Sequence, residues 1–393
     1  MMAAIIQHQT RGLHIAHILK SHITDYQDQY QLWWQQRKIV YDLINCRSAY
    51  LGGHLDRCNR CGAMRLIYHS CRNRHCPTCQ HMPRERWLDK RKKELLPTDY
   101  FHVVFTLPHE LNTVVLNNKK VMLAILFKAA SKSLLLFGED KLGGKLGFIA
   151  TLHTWDQQLN AHFHLHCLVA GGALSDNGSR WRSCKGNYLF NKTALSQVFR
   201  GKFIDHMKTA CGSNQLKLTG DQFNRLKSRL YDKQWIVDVR DPVKNPQHVL
   251  DYLARYTHRV AIANSRIKAL MDGMVTFTFK NRKKNRNEAL TISAVEFIRR
   301  FLLHSLPRRF VRIRHYGFLA NRNRSANLTA IRQLMGLSEP AEKPTASVQD
   351  LMRQVAGIDI NRCPCCRKGR MQLYIHIPRG VARPPNPLAF VAA

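Results

Sequence analysis

At 393 residues, with 45% hydrophobic side chains, the chain is too long for one ordinary domain and too apolar to be disordered throughout. Its 62 Lys and Arg against 26 Asp and Glu leave a net charge of +36, which opposes compaction unless a polyanion neutralises it. Nucleic acid is the leading polyanion because its phosphates reward many cationic contacts at once; ribosome association and an anionic membrane surface are the competing classes.

Met1–Lys20 carries no basic n-region, long apolar core or small-residue cleavage site, so no signal peptide is expected. The segment from about 10 to 45 reads as helical. Six of the 12 cysteines follow between Cys46 and Cys79, and Arg84–Glu94 reads as a charged linker or helix. Phe101–Leu107 is predicted as a strand ended by Pro108, and Asn118–Leu136 as a helix. The longest apolar run, Val121–Phe127, is far short of a membrane span. Leu146–His153 and Phe163–Val169 read as two more strands, the second closed by Gly171–Gly172. A basic stretch of about 176 to 230 reads as mostly helical, and Trp235–Arg240 as a short strand.

A helix is then expected with Asn245 as N-cap and Pro246 at its first position, ending near Thr257. Ile267–Leu270 and Met274–Phe279 flank Asp272–Gly273, a strong hairpin signal. From Lys280 to Arg324 there are thirteen Lys or Arg against Glu288 and Glu296. Ser338–Ser347 is linker-like, and a short cysteine cluster lies at 363–366. Strands mixed with helices, without regular βαβ alternation, predict an α+β fold. The expected domains are 1–95 (helical and cysteine-rich), 96–335 (catalytic) and 336–393 (linker and tail). The absence of targeting signals predicts a cytoplasmic bacterial protein, associated with the nucleoid. Its cysteines would then lie in a reducing compartment and read as metal ligands sooner than disulfides.

Cys58-x2-Cys61, fourteen residues, then Cys76-x2-Cys79 is the best metal signal. Each CxxC turn presents two thiolates, and two turns complete a tetrahedron for Zn²⁺. Cys46, His54, His69, Cys71 and His75 are further candidates for substitution or a second site. Cys363-Pro-Cys365-Cys366 supplies one more CxxC turn without an evident partner. A zinc site shared with distant residues or His376, and a relic turn, both remain open there.

The segment Asn160–Val169 carries His162, His164 and His166 on one strand face and Phe163, Leu165 and Cys167 on the other, because strand side chains alternate. Three imidazoles backed by an apolar face suit a divalent metal. Neutral imidazoles favour Mn²⁺, or Mg²⁺ bridged by DNA phosphate oxygens.

His164-Leu-His166 resembles the His-hydrophobic-His motif of HUH nucleases. The wider run from Thr154-Trp-Asp-Gln157 through His166 to Gly172 looks like the two-tyrosine rolling-circle transposases of insertion sequence ninety-one type, with Phe163 where Pro is expected. Tyr252-Leu-Ala-Arg-Tyr256-Thr-His-Arg259 and Arg312-Ile-Arg-His-Tyr316-Gly extend the resemblance to roughly residues 30–375. It implies an HUH-type antiparallel sheet nuclease domain flanked by helices, with an N-terminal zinc-binding module. It also implies His164 and His166 as ligands of a catalytic Mg²⁺ or Mn²⁺. Gln157 is the preferred third ligand, with His153, Asp156 and His162 competing. Tyr252 and Tyr256, at i and i+4 with Cβ atoms about 6 Å apart, would be the nucleophiles. Arg255, Arg259, Arg312 and Arg314 would contact DNA. The implied reaction nicks single-stranded transposon ends through a 5′-phosphotyrosine and transfers the strand. A plasmid initiator or relaxase, and a non-catalytic zinc-dependent DNA-binding protein, are the alternatives.

Overall fold

Alternating apolar residues in the middle of the chain build an antiparallel sheet whose central strand is the histidine segment. The computed structural model describes residues 5–7, 12–184, 186, 189–338 and 346–380. They group into two units that interleave along the sequence: Lys90–Arg259 with Leu306–Lys343, and Met1–Asp89 with Val260–Ser305 and Pro344–Ala393. The linear division at 95 and 335 is thus regrouped, because the Asp-Gly hairpin, the helix after it and the C-terminal cysteines join the N-terminal residues. Most of the expected linker, 339–345, lies outside the described residues.

In the first unit the strands are β1 (Tyr100–Thr106), β2 (Lys145–Trp155), β3 (Ala161–Leu174), β4 (Trp181–Ser183), β5 (Ile236–Val239) and β6 (Ile313–Gly317). The order is β6-β2-β3-β1-β5, with β4 on the end of β3, and every pairing is antiparallel. β3 runs through Gly171 and Gly172 instead of stopping there. A Cβ on Gly172 would lie 2.2 Å from the Trp181 ring, and one on Gly171 would lie 2.7 Å from the Asp99 carbonyl. These glycines admit close neighbours; they do not end the strand.

One sheet face carries Phe101, Val103, Phe105, Phe148, Phe163, Leu165 and Cys167, all buried in a single apolar core. Helices α1 (Lys119–Leu142) and α2 (Lys192–Gly212) contribute Leu123, Leu126, Phe127, Phe199 and Phe203 to it. Asn118 is the N-cap of α1, and Gly143, at φ +60°, ends it in a left-handed turn. By length and composition α1 could cross a membrane, but most of it is buried in this core. Asn191 caps α2 by accepting the Thr193 and Ala194 N–H groups, and α3 (Gly220–Tyr231) adds Phe223, Leu226 and Leu230. Helix α4 (Pro246–Tyr256) follows β5.

The second unit has a four-stranded sheet, ordered Ile5–Gln7, Met64–Tyr68, Gly53–Cys58, Met371–Ile377. Helices Ile15–Gln29, Trp34–Ile44 and Ala294–Leu303 belong to the same unit. The predicted hairpin forms between Ile267–Met271 and Met274–Asn281, with Asp272 at φ 48° and Gly273 at φ 72°, as a type I′ turn needs. Arg286–Ser293 extends it to three strands. The architecture is mixed α+β with antiparallel sheets, as the sequence predicts, apart from the parallel pairing of Ile5–Gln7 with Met64–Leu66.

Candidate active site and cysteine clusters

Strand alternation turns His164 and His166 to the sheet face opposite the core, and the register brings His153 of β2 directly across from His164. The three imidazoles offer ligand nitrogens that all lie within 4.8 Å of one another, and all three residues are buried. His162 stands on the same strand face, its ring 4.7 Å from that of His164. The third imidazole of the cluster is His153, one of the competitors of Gln157, which itself lies in the turn between β2 and β3.

Hydrogen bonds set the tautomers. His164 Nδ1 lies 3.0 Å from the His162 carbonyl oxygen, which can only accept, so Nδ1 carries the proton and Nε2 the lone pair. His153 Nε2 lies 2.8 Å from the Tyr256 carbonyl oxygen, so there the lone pair is on Nδ1. His166 Nδ1 lies 2.8 Å from Nε2 of His102 on β1. With His166 presenting Nε2 to an ion, its Nδ1–H donates to His102. Sequence reasoning missed His102. It pairs with Leu168, one step along the same face from His166, and only the register reveals that.

Burial, followed by the Arg240 charge, pushes His102 down to about 3. It drives His153 and His166 well below the usual imidazole range, with neighbouring imidazoles adding to the effect. His153 and His166 are therefore neutral near neutral pH, as a metal ligand must be, and His102 is neutral beside them.

The other wall is Tyr256, the last residue of α4. Its ring centroid lies 4.1 Å from that of His166, 5.3 Å from His102 and 6.0 Å from His153. Its carbonyl, one of the oxygens a helix C-terminus leaves without an intrahelical donor, is the one that accepts from His153. The candidate nucleophile and a candidate ligand thus hold each other. Tyr252 lies one turn earlier on α4; its side chain and that of Arg255 lie outside the described residues.

Arg312 donates to the Arg259 carbonyl at 2.6 Å, and the charges of both residues act on His153. Arg314 does not join them. Its guanidinium sits over the Phe127 and Phe310 rings, 4.1 and 5.2 Å from their centroids, because position 314 faces the core side of the sheet. The basic tract is likewise divided. Glu296 pairs Arg299 and Arg300, Glu288 pairs Lys284 and Arg286, and residues on either side of 305 belong to different units.

The N-terminal cysteines are brought together differently from the spacing. Cys76 and Cys79 meet Cys46 and Cys71, with Sγ–Sγ distances of 3.4 Å (Cys46–Cys79), 3.6 Å (Cys71–Cys79) and 3.7 Å (Cys46–Cys76). Cys58 and Cys61 instead face Cys363 and Cys366. The single tetrahedron expected from the two CxxC turns does not form, because Cys58 and Cys61 sit at the far end of a strand paired with the C-terminal segment.

Residues 147–326 match the family model described as "Putative transposase", and residues 18–107 the model described as "Transposase zinc-binding domain". "Putative transposase y4qJ" of Sinorhizobium fredii (strain NBRC 101917 / NGR234) is 41% identical over 390 residues, covering 95% of this chain and 98% of that protein. The chain belongs to the IS91-type transposase family. The transposase for insertion sequence element IS801 of Pseudomonas savastanoi pv. phaseolicola is 25% identical over 340 residues, 83% of this chain and 80% of that relative. As a transposase the chain has DNA as its partner, which accounts for the net +36. Its zinc-binding domain contains the Cys46, Cys71, Cys76, Cys79 cluster.

Proposed function

We propose that this transposase nicks single-stranded DNA at the ends of its element and transfers the strand by rolling-circle transposition, with Tyr256 and Tyr252 as nucleophiles. It would do so in the bacterial nucleoid. The observation that carries the reading is the Tyr256 ring packed 4.1 Å from that of His166, against a cluster of three buried imidazoles.

In this reaction a tyrosine Oη attacks the scissile phosphorus and gives up its proton to solvent. The P–O3′ bond breaks, the 3′ oxygen takes a proton and leaves as a hydroxyl, and the 5′ phosphate stays on the tyrosine. Because the phosphotyrosine conserves the ester bond, a later attack by a 3′-OH rejoins DNA without ATP. Tyr252, one turn before Tyr256 along the backbone of α4, would take the second strand.

His153, His164 and His166 fit a divalent ion, since each presents a lone-pair nitrogen fixed by the hydrogen bond on its other nitrogen. When bound, Mn²⁺ or Mg²⁺ supplies Lewis-acid polarisation of the phosphate, and a nitrogen donor set favours Mn²⁺. Arg259 and Arg312 add fixed positive charge for the phosphate backbone.

Cleavage of labelled single-stranded end oligonucleotides tests the proposal. Tyr256→Phe and Tyr252→Phe together should reduce cleavage to background with the fold retained, since only hydroxyls are removed. Undiminished cleavage by that double variant would exclude tyrosine chemistry.

A further inference from the structure

We infer that Cys58, Cys61, Cys363 and Cys366 form a second structural zinc site, one that fastens the C-terminal strand to the N-terminal sheet. The matched zinc-binding domain ends at residue 107, so it cannot by itself account for a site with two ligands beyond 360.

The four Sγ atoms lie within 4.8 Å of one another, and the contacts between the two CxxC turns are 3.8 Å (Cys58–Cys366) and 3.7 Å (Cys61–Cys363). A Zn–S bond of about 2.3 Å gives a tetrahedral S–S edge of about 3.8 Å, so the spacing already matches. Disulfide bonding would need sulfurs about 2.05 Å apart.

The two turns are built alike. The residue after the second cysteine has a left-handed backbone in both, Gly62 at φ 69° and Arg367 at φ 56°. In each, a backbone N–H points at a cysteine sulfur: Arg60 at Cys58 (3.4 Å) and Gly369 at Cys366 (3.3 Å). Such donors stabilise thiolates. Gly369 also lets the turns close, because a Cβ there would lie 2.4 Å from Cys58 Sγ and 2.8 Å from Arg60 Cβ. Asn59 and Arg370 lock the turns together through Arg370 N–H to Asn59 Oδ1 (2.9 Å) and Asn59 N–H to the Arg370 carbonyl (3.1 Å).

The sheet needs this fastening. Among the described residues Met371–Ile377 is an edge strand, paired there with Gly53–Cys58 alone. The apolar clusters beneath it are small: Leu55, Met64, Leu66 and Ile377 in one, and Ala63 and Met371 with Cys58 and Cys363 in the other. A core of that size rarely holds a sheet without a metal or a disulfide. Cys61 and Cys363 are 302 residues apart in a chain of 393, so an ion here closes most of the chain into a loop. Binding releases the thiol protons to solvent and leaves four thiolates on Zn²⁺.

The test uses the full-length protein, purified without chelator. Elemental analysis should find two zinc per chain, falling to one in Cys363→Ser/Cys366→Ser. Should that variant misfold, native alkylation of the unaltered protein decides. Iodoacetamide should modify the exposed Cys365 but spare Cys61, which is also exposed, together with Cys58, Cys363 and Cys366, until a chelator is added. One zinc in the unaltered protein, two retained in the double variant, or alkylation of Cys61 and Cys363 without chelator would each overturn the assignment.

Discussion

The three site imidazoles each have one ring nitrogen tied to a partner, which leaves the other for an ion, so their tautomers are set by the protein before any ion arrives. His102 is the partner with no other role in the site, and it works by staying neutral under burial. His102→Ala should therefore weaken Mn²⁺ binding by about 10- to 100-fold, as loss of such supporting bonds does elsewhere. His102→Gln, which restores an acceptor, should recover part of it. Calorimetric titration of Mn²⁺ into the protein measures both, and an unchanged affinity in His102→Ala would remove His102 from the account. At this scale the sequence was partly legible. Alternation alone puts His164 and His166 on one face, but His153 and His102 arrive by cross-strand register, which no local pattern encodes. The cysteines show the same limit. CxxC turns identify ligands, but partners more than 300 residues away cannot be chosen by spacing.

The histidine strand works because its two faces have different tasks. Phe163 is buried in the apolar core while its neighbours His162 and His164 point the other way. Its ring and that core hold β3 in register. Phe163→Ala should cost about 3–5 kcal/mol of stability, the usual range for emptying a buried aromatic site. Denaturant unfolding measures it; a loss below about 1 kcal/mol would mean the core tolerates a slip of β3. Elements with local signals were the readable ones: the Asp-Gly hairpin, the Asn118 start of α1, and the end of α4 beside Thr257. The misread end of β3 has its cause outside the strand, since Gly171 answers to the distant Asp99 and Gly172 to Trp181 on the next strand.

Across the whole molecule the charge of +36 announces DNA but does not say which cations touch it. The structure separates two classes within one short segment. Arg312 stands with Arg259 beside the histidine cluster, whereas Arg314 lies on aromatic rings. Arg259→Ala and Arg312→Ala should each lower the log–log salt slope of single-stranded DNA binding by about 0.7. Arg314→Ala should leave that slope unchanged and lose about 0.5–1 kcal/mol of stability. Binding isotherms at several salt concentrations distinguish them, and equal slope changes at 312 and 314 would refute the division. The interleaving of the two units was beyond the sequence, because no composition shift marks Val260–Ser305 as belonging with the N-terminal residues.

Attack by a tyrosine beside a histidine-held metal leaves DNA bound to the protein, so trapping that intermediate is the most direct test. The protein is incubated with Mn²⁺ and single-stranded DNA of its own element ends, digested with protease, and the DNA-bearing peptide identified by mass. The expected product is a peptide containing Tyr252 or Tyr256 that carries nucleotides through the 5′-phosphate of the downstream strand. DNA attached to any other residue, or cleavage with no covalent protein–DNA product at any time point, would contradict attack by these tyrosines.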